Sequence, residues 1–125
     1  LIQAVLNVAR NGVQAMLEDK SKEKMNINFI TRAESQIVFH KKKHTTAIRL
    51  DIVDSGPGIN KELLDKIFYP LVSGKDSGSG LGLSLAQNFI TQHNGMIDCS
   101  SAPGKTKFSI ILPIENNLKI NEVKK

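Results

Sequence analysis

Apolar residues recur with a helical period over the first 18 residues of the chain. This spacing predicts an amphipathic helix with one stripe directed at a core. The stripe consists of Ile2, Val5, Leu6, Ala9, Val13, Met16 and Leu17. A second row on the same helix is made of amides, where an exposed face more often carries Glu and Lys. These amides are Gln3, Asn7, Asn11 and Gln14.

Alternation of apolar and polar residues predicts β-strands after this helix. The expected strands cover residues 26–32, 36–40, 46–54, 96–101 and 106–112. Residues 41–45 are expected to form a turn, and the sequence APGK is expected to connect the last two strands.

Two further helices are predicted between the third and fourth strands. Asn60 is a suitable N-cap for a short apolar helix that Pro70 would stop. A loop rich in Gly and Ser follows at 71–80, and a longer helix is expected at 81–93, with Gly95 just after it as a C-terminal stop.

The order of these elements predicts a two-layer α/β sandwich, with one mixed sheet covered by helices on one face. Residues 1–114 are expected to form this domain, and the polar residues 115–125 a tail. The chain opens inside a helical pattern without an initiator Met, so we expect it to be an excerpt of a longer protein.

Composition and charge narrow the class of protein. No apolar run approaches the roughly 18 residues of a membrane span, so no membrane association is expected. The net charge of +5 is spread along the chain apart from residues 41–44 and the last two lysines, and with one Tyr and no Trp we expect no nucleic-acid partner. Cys99 is the only cysteine, which is typical of a small strand residue in a cytoplasmic protein.

The sequence SGKDSGSGLGLS at 73–84 raises the question of what its glycines are for. A dinucleotide fingerprint would need Gly where Leu83 stands, and a P-loop would need Ser or Thr where Asp76 stands. What remains is a flexible loop that ends at a helix N-terminus, where free backbone N–H groups favour an anion. A plain linker would have the same composition.

Two other features bear on the same question. Asp54 ends a strand and begins the sequence DSGPG, so its carboxylate is placed to accept a hydrogen bond from the amine of adenine, although such turns are also common for structural reasons. The side-chain oxygen of Asn11 suits Mg²⁺, which commonly binds a nucleotide's phosphates. A polar helix face without a metal would also explain the amides.

Taken together, these features are specific. The order ARNGVQA, DSGPG, KIFYPLVSG and GSGLGL resembles the N, G1, F and G2 boxes of the histidine-kinase ATP-binding domain, in the superfamily that includes gyrase and Hsp90 and has the Bergerat ATP-binding fold. Within the kinases, RNGVQAM, IFYPLVSGK and SGLGLSLAQNFITQHNG are most similar to the nitrogen-regulation sensor kinases.

The resemblance implies roles for individual residues. Asn11 is the Mg²⁺ ligand, Asn7 lies near the phosphates, and Asp54 anchors the adenine of ATP. Gly56, Gly58 and Ile59 line the base pocket, and the hydroxyl of Thr106 lies close to the adenine. The remaining implied residues belong to the F box or to a lid over the phosphates and the start of the helix after it: Phe68, Lys75, Gly78, Gly80, Leu81, Gly82 and Leu83. Core packing for Phe68 and a solvated Lys75 are equally compatible with the sequence.

The resemblance leaves three functions open. A histidine kinase donates the γ-phosphoryl group of ATP to a histidine, a hydrolase of the gyrase or Hsp90 type releases phosphate, and a nucleotide-binding regulator does neither. Hydrolytic relatives have a Glu as general base four residues before the metal Asn, and this chain has Asn7 there. The kinase is therefore the favoured hypothesis.

The phosphoacceptor histidine is expected to lie outside this chain. His40 and His44 belong to a predicted hairpin and His93 to a helix end, whereas the resemblance requires a histidine in a dimerisation helix. The implied partners are a separate dimerisation and phosphoacceptor domain, an NtrC-like response regulator and a PII-type signal protein. The parent protein is expected to be a homodimer.

Overall fold

The computed structural model describes residues 1–18, 25–69 and 82–114. Three helices, α1 (Ile2–Glu18), α2 (Lys61–Leu64) and α3 (Gly82–Gln92), accompany four strands, β1 (Ile27–Phe39), β2 (Lys42–Asp54), β3 (Met96–Ala102) and β4 (Lys105–Pro113). The strands form one sheet in the order β1-β2-β4-β3.

The helices and the sheet form two layers around one main core. Phe108, Ile52 and Ile110 contribute from the sheet, and Val8 and Ile90 from α1 and α3, and all five are at most 2% exposed. The α/β fold class is therefore confirmed. The expected mixed sheet is not found among the described residues, because all three strand pairs there are antiparallel. The connection from β2 through the helices leads to β3 at the edge of the sheet. The second hairpin then returns β4 between β3 and β2, antiparallel to both.

Helix α1 is present as predicted, but its buried face differs from the predicted stripe. The buried residues are Ala4, Val8, Gly12 and Met16. Four residues expected inside, Ile2, Leu6, Val13 and Leu17, are 39% to 76% exposed. The small residues at positions 4 and 12 allow α1 to lie close to the sheet, and the larger apolar side chains on the opposite side then face outward.

The first hairpin is longer than predicted. Strand β1 runs without a break through residues 33–35, which the sequence assigned to a gap between two strands. The turn consists of His40 and Lys41, which have φ angles of 56° and 59°, rather than residues 41–45. Two residues with positive φ angles in a two-residue loop are typical of the turn type whose twist matches that of the flanking strands. The side chain of His40 also bonds the carbonyl of Gly95, 2.7 Å away, which fixes the hairpin end.

The N-cap of α2 and the C-terminal stop of α3 are confirmed, whereas α2 ends at Leu64, earlier than the stop expected at Pro70. Asn60 caps α2, because its side-chain oxygen accepts a hydrogen bond from the backbone N–H of Leu63 at 2.8 Å. Helix α3 ends before Asn94, which has a φ of 63°, and the N–H of Gly95 bonds the carbonyl of Ile90 at 2.9 Å. None of the helices in the described ranges is long and apolar enough to cross a membrane.

Candidate functional site

A polar row crosses three strands at one end of the sheet. Thr106 on β4 pairs with Asp54 on β2 and with Ser101 on β3. Asp54 and Thr106 are buried, at 5% and 4% exposure. The next row inward is apolar and consists of Ile52, Phe108 and Cys99. The polar row therefore forms the end of the core on the side that α1 covers.

Two glycines leave the space that the Asp54 carboxylate occupies. The backbone N–H of Gly56 donates a hydrogen bond to Oδ1 of Asp54 at 2.9 Å. A Cβ atom on Gly12 would lie 2.7 Å from Oδ2 of Asp54, and one on Gly56 would lie 2.9 Å from Oδ1. Helix α1 and the loop after β2 thus close around this carboxylate with backbone rather than side chains.

The loop after β2 is fastened to the end of β3. The N–H of Ile59 donates to Oγ of Ser101 at 2.8 Å, and that same oxygen lies 2.9 Å from Oγ1 of Thr106. Gly58 has a φ of 94°, and a Cβ there would lie 2.6 Å from the carbonyl oxygen of Ala102. The loop therefore needs glycine at position 58 for two independent reasons.

The amide row of α1 continues from this end of the core towards the start of α3. Asn7 and Asn11 are half-buried, and Gln3 donates to Oδ1 of Asn7 at 3.3 Å. Asn7 also faces α3, since a Cβ on Gly82 would lie 4.0 Å from its Cβ. A groove of about 360 Å³ separates the two helices there, with Asn7, Arg10, Gly82 and Leu85 in its lining. The side chain at position 7 and the N-terminus of α3 thus share one cleft.

The other residues implied by the resemblance divide into two groups. Ile59, Phe68 and Leu83 pack against the main core, and the ring of Phe68 meets that of Phe108 edge to face at 6.2 Å between centroids. Lys75, Gly78, Gly80 and Leu81 lie outside the described residues, as does the predicted lid.

Two residues of the site were missed or misread in the sequence. From the sequence alone, the only expected effect of Gly12 is to lower the helix propensity of α1. In the structure, its missing side chain leaves the space that the Asp54 carboxylate occupies. Ser101 carried no motif. Its position two residues after Cys99 on the same strand face was the available signal, and its meaning depends on the pairing with Thr106.

One ionisable group on each face of the sheet has a clearly shifted pKa. Burial, with smaller contributions from Asp98 and Asp54, raises the pKa of the Cys99 thiol to about 12. On the opposite face of the sheet, burial would raise the pKa of Asp51, but hydrogen bonds from Ser109 and Arg49 outweigh it and lower that pKa. Cys99 is therefore a neutral thiol at the core edge, and Asp51 a charged carboxylate with partners.

No group of three or more His, Cys, Asp and Glu side chains suited to a metal occurs in the described part of the chain. The half-buried amides Asn7 and Asn11 do fit an Mg²⁺ ion that takes most of its oxygen ligands from phosphates and water.

Comparison with known proteins identifies the family of the chain. Residues 1–116 match the family described as histidine kinase-, DNA gyrase B- and HSP90-like ATPase. The chain therefore belongs to this ATPase family.

Its relatives within the family include sensor kinases. The chain is 46% identical over 112 residues to the sensory histidine kinase/phosphatase NtrB of Salmonella typhimurium, and 48% identical over 112 residues to NtrB of Vibrio alginolyticus. Each alignment covers 90% of this chain and 31% of the relative, so the chain spans about a third of the relatives it matches.

Solved structures agree with the fold. The catalytic domain of the histidine kinase ThkA superposes with a TM-score of 0.68 at 27% identity, covering 89% of this chain and 64% of that one. The mycobacterial sensor histidine kinase MprB superposes with a TM-score of 0.70 at 23% identity, covering 89% and 70%. The sequence-based resemblance to the ATP-binding domains of NtrB-like histidine kinases is confirmed by the family match and by these relatives.

Proposed function

We propose that this chain binds Mg²⁺–ATP and donates its γ-phosphoryl group to a histidine on a separate dimerisation domain, within a cytoplasmic NtrB-like sensor kinase. One observation carries the proposal. A buried carboxylate, Asp54, lies beside Thr106, which is also buried. Gly12 and Gly56 contribute no side chain to the space around this carboxylate. A carboxylate next to a hydroxyl is complementary to the amine and ring nitrogen of adenine.

The position of the phosphates in this proposal is inferred from the direction in which the amide row of α1 runs. Asp54 contacts α1 at Gly12, and the amide row leads from there towards the α3 N-terminus, through Asn11 and then Asn7. With adenine at Asp54, the phosphates lie along this row. Asn11 and Asn7 are the side chains that would hold Mg²⁺, which neutralises phosphate charge when bound.

The α3 end of the site suits the phosphates. The N-terminal backbone N–H groups of a helix favour an anion, and Gly82 begins α3 beside Asn7. Gly56, Gly58 and Ile59 line the base pocket in this proposal. Leu83, which packs against the core, would hold the start of α3 in place. Lys75, Gly78, Gly80 and Leu81 lie outside the described residues, and the proposal keeps for them the lid and helix-start roles that the resemblance implies.

Phosphoryl transfer fits position 7 better than hydrolysis does. An amide has no useful basicity, so Asn7 cannot activate water as a carboxylate would. An attacking imidazole is already a nucleophile, and its reaction depends on positioning and on charge neutralisation.

The histidines of this chain support an acceptor elsewhere. His40 bonds the carbonyl of Gly95, His44 stacks on Phe39 at 4.2 Å between ring centroids, and Nδ1 of His93 lies 3.0 Å from the carbonyl oxygen of Phe89. None of the three lies in the cleft between α1 and α3. The proposal therefore includes a homodimeric parent with its own phosphoacceptor domain, an NtrC-like response regulator and regulation by a PII-type protein.

The test is phosphotransfer in trans. The chain is incubated with Mg²⁺ and γ-labelled ATP, with and without a dimeric phosphoacceptor domain from a nitrogen-regulation kinase. We expect acid-labile, alkali-stable label on the acceptor and none on the chain itself. Asn11→Ala should abolish the transfer, whereas Asn28→Ala, which removes an exposed amide on β1, should leave it unchanged. Rapid phosphate release by the chain alone would instead indicate a hydrolase, and binding of ATP with neither reaction a regulator.

A further inference from the structure

The polar row at the end of the sheet contains one hydroxyl to which neither the family resemblance nor the proposed function gives a role. Ser101 lies beside Thr106, and its Oγ is within hydrogen-bond distance of both Thr106 Oγ1 and the N–H of Ile59. We propose that Ser101 is a positioning residue. By donating a hydrogen bond to Thr106 it holds the Thr106 hydroxyl in place as a donor to the nucleotide base, and so favours a base with an unprotonated ring nitrogen at that point. This inference rests on the proposed function, because it assumes that adenine lies at Asp54.

The hydrogen-bond inventory of the two hydroxyls determines the direction of the protons. A hydroxyl has one proton to donate and two lone pairs to accept with. Ser101 already accepts from the N–H of Ile59 at 2.8 Å. The 2.9 Å contact with Thr106 then uses either the proton of Ser101 or the proton of Thr106.

The Asp54 carboxylate decides between these two arrangements. Asp54 flanks Thr106 on the side opposite Ser101, and both Asp54 and Thr106 are buried. A negative charge in a low-dielectric site attracts the positive end of the Thr106 O–H group. The proton of Thr106 thus points away from Ser101, towards the side where the base would lie against Asp54. Ser101 donates to Thr106, which holds that hydroxyl in one orientation and strengthens it as a donor. Without Ser101 the hydroxyl loses this support and can turn. The resulting series of donors runs from Ile59 N–H through Ser101 to Thr106.

The base in the site then meets an acceptor beside a donor. Asp54 accepts from the exocyclic amine of adenine, and Thr106 donates to the neighbouring ring nitrogen, directly or through a water. That nitrogen is N1, because the six-membered ring is farthest from the sugar and enters deepest, where both protein groups are buried. Guanine carries a proton on N1 and an oxygen on C6, so it mismatches both groups.

Binding of base-modified nucleotides tests the inference. ATP and 1-deaza-ATP, which lacks the N1 acceptor, are titrated into the chain and its variants by calorimetry. We expect wild type to prefer ATP by about fivefold, the value of one neutral hydrogen bond. In Ser101→Ala the preference should fall to about twofold or less. Ser100→Ala removes an exposed hydroxyl on the other face of β3 and should retain the full preference.

Two further variants separate positioning from mere stability. Ser101→Thr keeps the hydroxyl and should keep the preference. In a Thr106→Val background, which has no hydroxyl to orient, Ser101→Ala should leave the ratio of the two affinities unchanged. If Ser101→Ala does not fold, Ser101→Cys provides the same comparison with a weaker donor and should show a reduced preference.

The outcomes distinguish this inference from the proposed function. Failure of wild type to bind ATP would overturn both. ATP binding with equal affinities for ATP and 1-deaza-ATP, or with the same preference in wild type and Ser101→Ala, would overturn the role of Ser101 alone. A third nucleotide, 7-deaza-ATP, lacks the N7 acceptor and keeps N1. If 7-deaza-ATP binds more weakly than ATP while 1-deaza-ATP binds as well as ATP, the contact at N1 is wrong.

Discussion

At the scale of single residues, the site depends on close approaches that only particular side chains allow. Asp54 is buried at a strand end, receives the N–H of Gly56, and has Gly12 directly against it. A carboxylate held this way is fixed in position before any ligand binds. Its pairing with Thr106 places a second polar group beside it, and in the proposed function this pair faces the base of the nucleotide.

Asp54→Ala should weaken ATP binding by about 10- to 100-fold, because the amine of adenine loses a charged acceptor. GTP binding should change by less than about twofold, since guanine offers no amine at that position. Calorimetric titration of both nucleotides measures this, with Asp98→Ala as the control for loss of an exposed carboxylate. Equal losses for the two nucleotides would contradict the assignment of Asp54 as the adenine anchor.

Gly58→Ala should lower the free energy of unfolding by about 1–3 kcal/mol, the cost of strained backbone. Its φ of 94° disfavours a side chain, and the new Cβ would meet the carbonyl oxygen of Ala102 at 2.6 Å. Gly82→Ala is the matched control, because the nearest atom to its Cβ lies 4.0 Å away. That variant should be neutral or more stable by up to about 1 kcal/mol. Urea unfolding distinguishes the two, and similar stabilities would contradict the geometry of the loop.

At the scale of elements, the first hairpin and α1 show how packing overrides local patterns. The hairpin end is held by Phe39, which is 5% exposed and packs with Ala47 and Ile111. The ring of His44 stacks on Phe39, and His40 reaches Gly95. This end of the hairpin is therefore two paired strands and a tight turn, rather than the longer turn at 41–45 that the sequence predicts.

Lys41→Gly should stabilise the hairpin by about 0.5–1 kcal/mol, because Lys41 has a φ of 59° that costs an L residue more than a glycine. Lys43→Gly removes the same charged side chain within strand β2, where Lys43 pairs with Val38. It should destabilise the protein by about 0.5–1 kcal/mol, since glycine weakens a strand interior. Thermal unfolding of both variants measures the difference, and two shifts of the same sign would show that loss of lysine charge dominates.

At the scale of the whole molecule, the two faces of the sheet are organised differently. The helices cover one face and enclose the main core. On the other face, Asp51 and Ser109 are 3% and 8% exposed without a described helix over them. The hydroxyl of Ser109 donates to Asp51 at 2.7 Å, and Nε of Arg49 donates to the same carboxylate oxygen at 3.0 Å. A bonded polar cluster thus lies on this face, next to the smaller apolar cluster of Phe39, Ala47 and Ile111.

This cluster predicts a dependence of stability on pH. The pKa of Asp51 is lower in the folded protein than its ordinary value of 3.8, so its contribution is present above that value and is lost as the pH falls through the lowered pKa. Asp51→Asn should lower the free energy of unfolding at pH 7 by about 1–3 kcal/mol, the value of hydrogen bonds to a charged group.

The difference between Asp51→Asn and wild type should stay constant from about pH 7 to 5 and shrink below about pH 4. Urea unfolding at these values and near pH 3 provides the measurement. Asp98→Asn, which changes an exposed carboxylate, is the control. A difference that persists unchanged at pH 3 would show that Asp51 acts through packing rather than charge.

The sequence by itself determined the elements with local signals and the identity of the family. The cap at Asn60, the end of α3 before Gly95, and the motifs around Asn11 and Asp54 are contiguous residues whose chemistry acts over a few positions. Element type follows from such short-range patterns, and so does a motif.

Only the tertiary structure decided which surfaces meet. Apolar Leu6 and Leu17 are compatible with a buried stripe, but the space available between α1 and the sheet suits the smaller Ala4 and Gly12. The row of Asp54, Thr106 and Ser101 depends on strand register, which joins residues 52 positions apart. Register and helix rotation are set by packing of the whole core at once, and no local pattern contains that information.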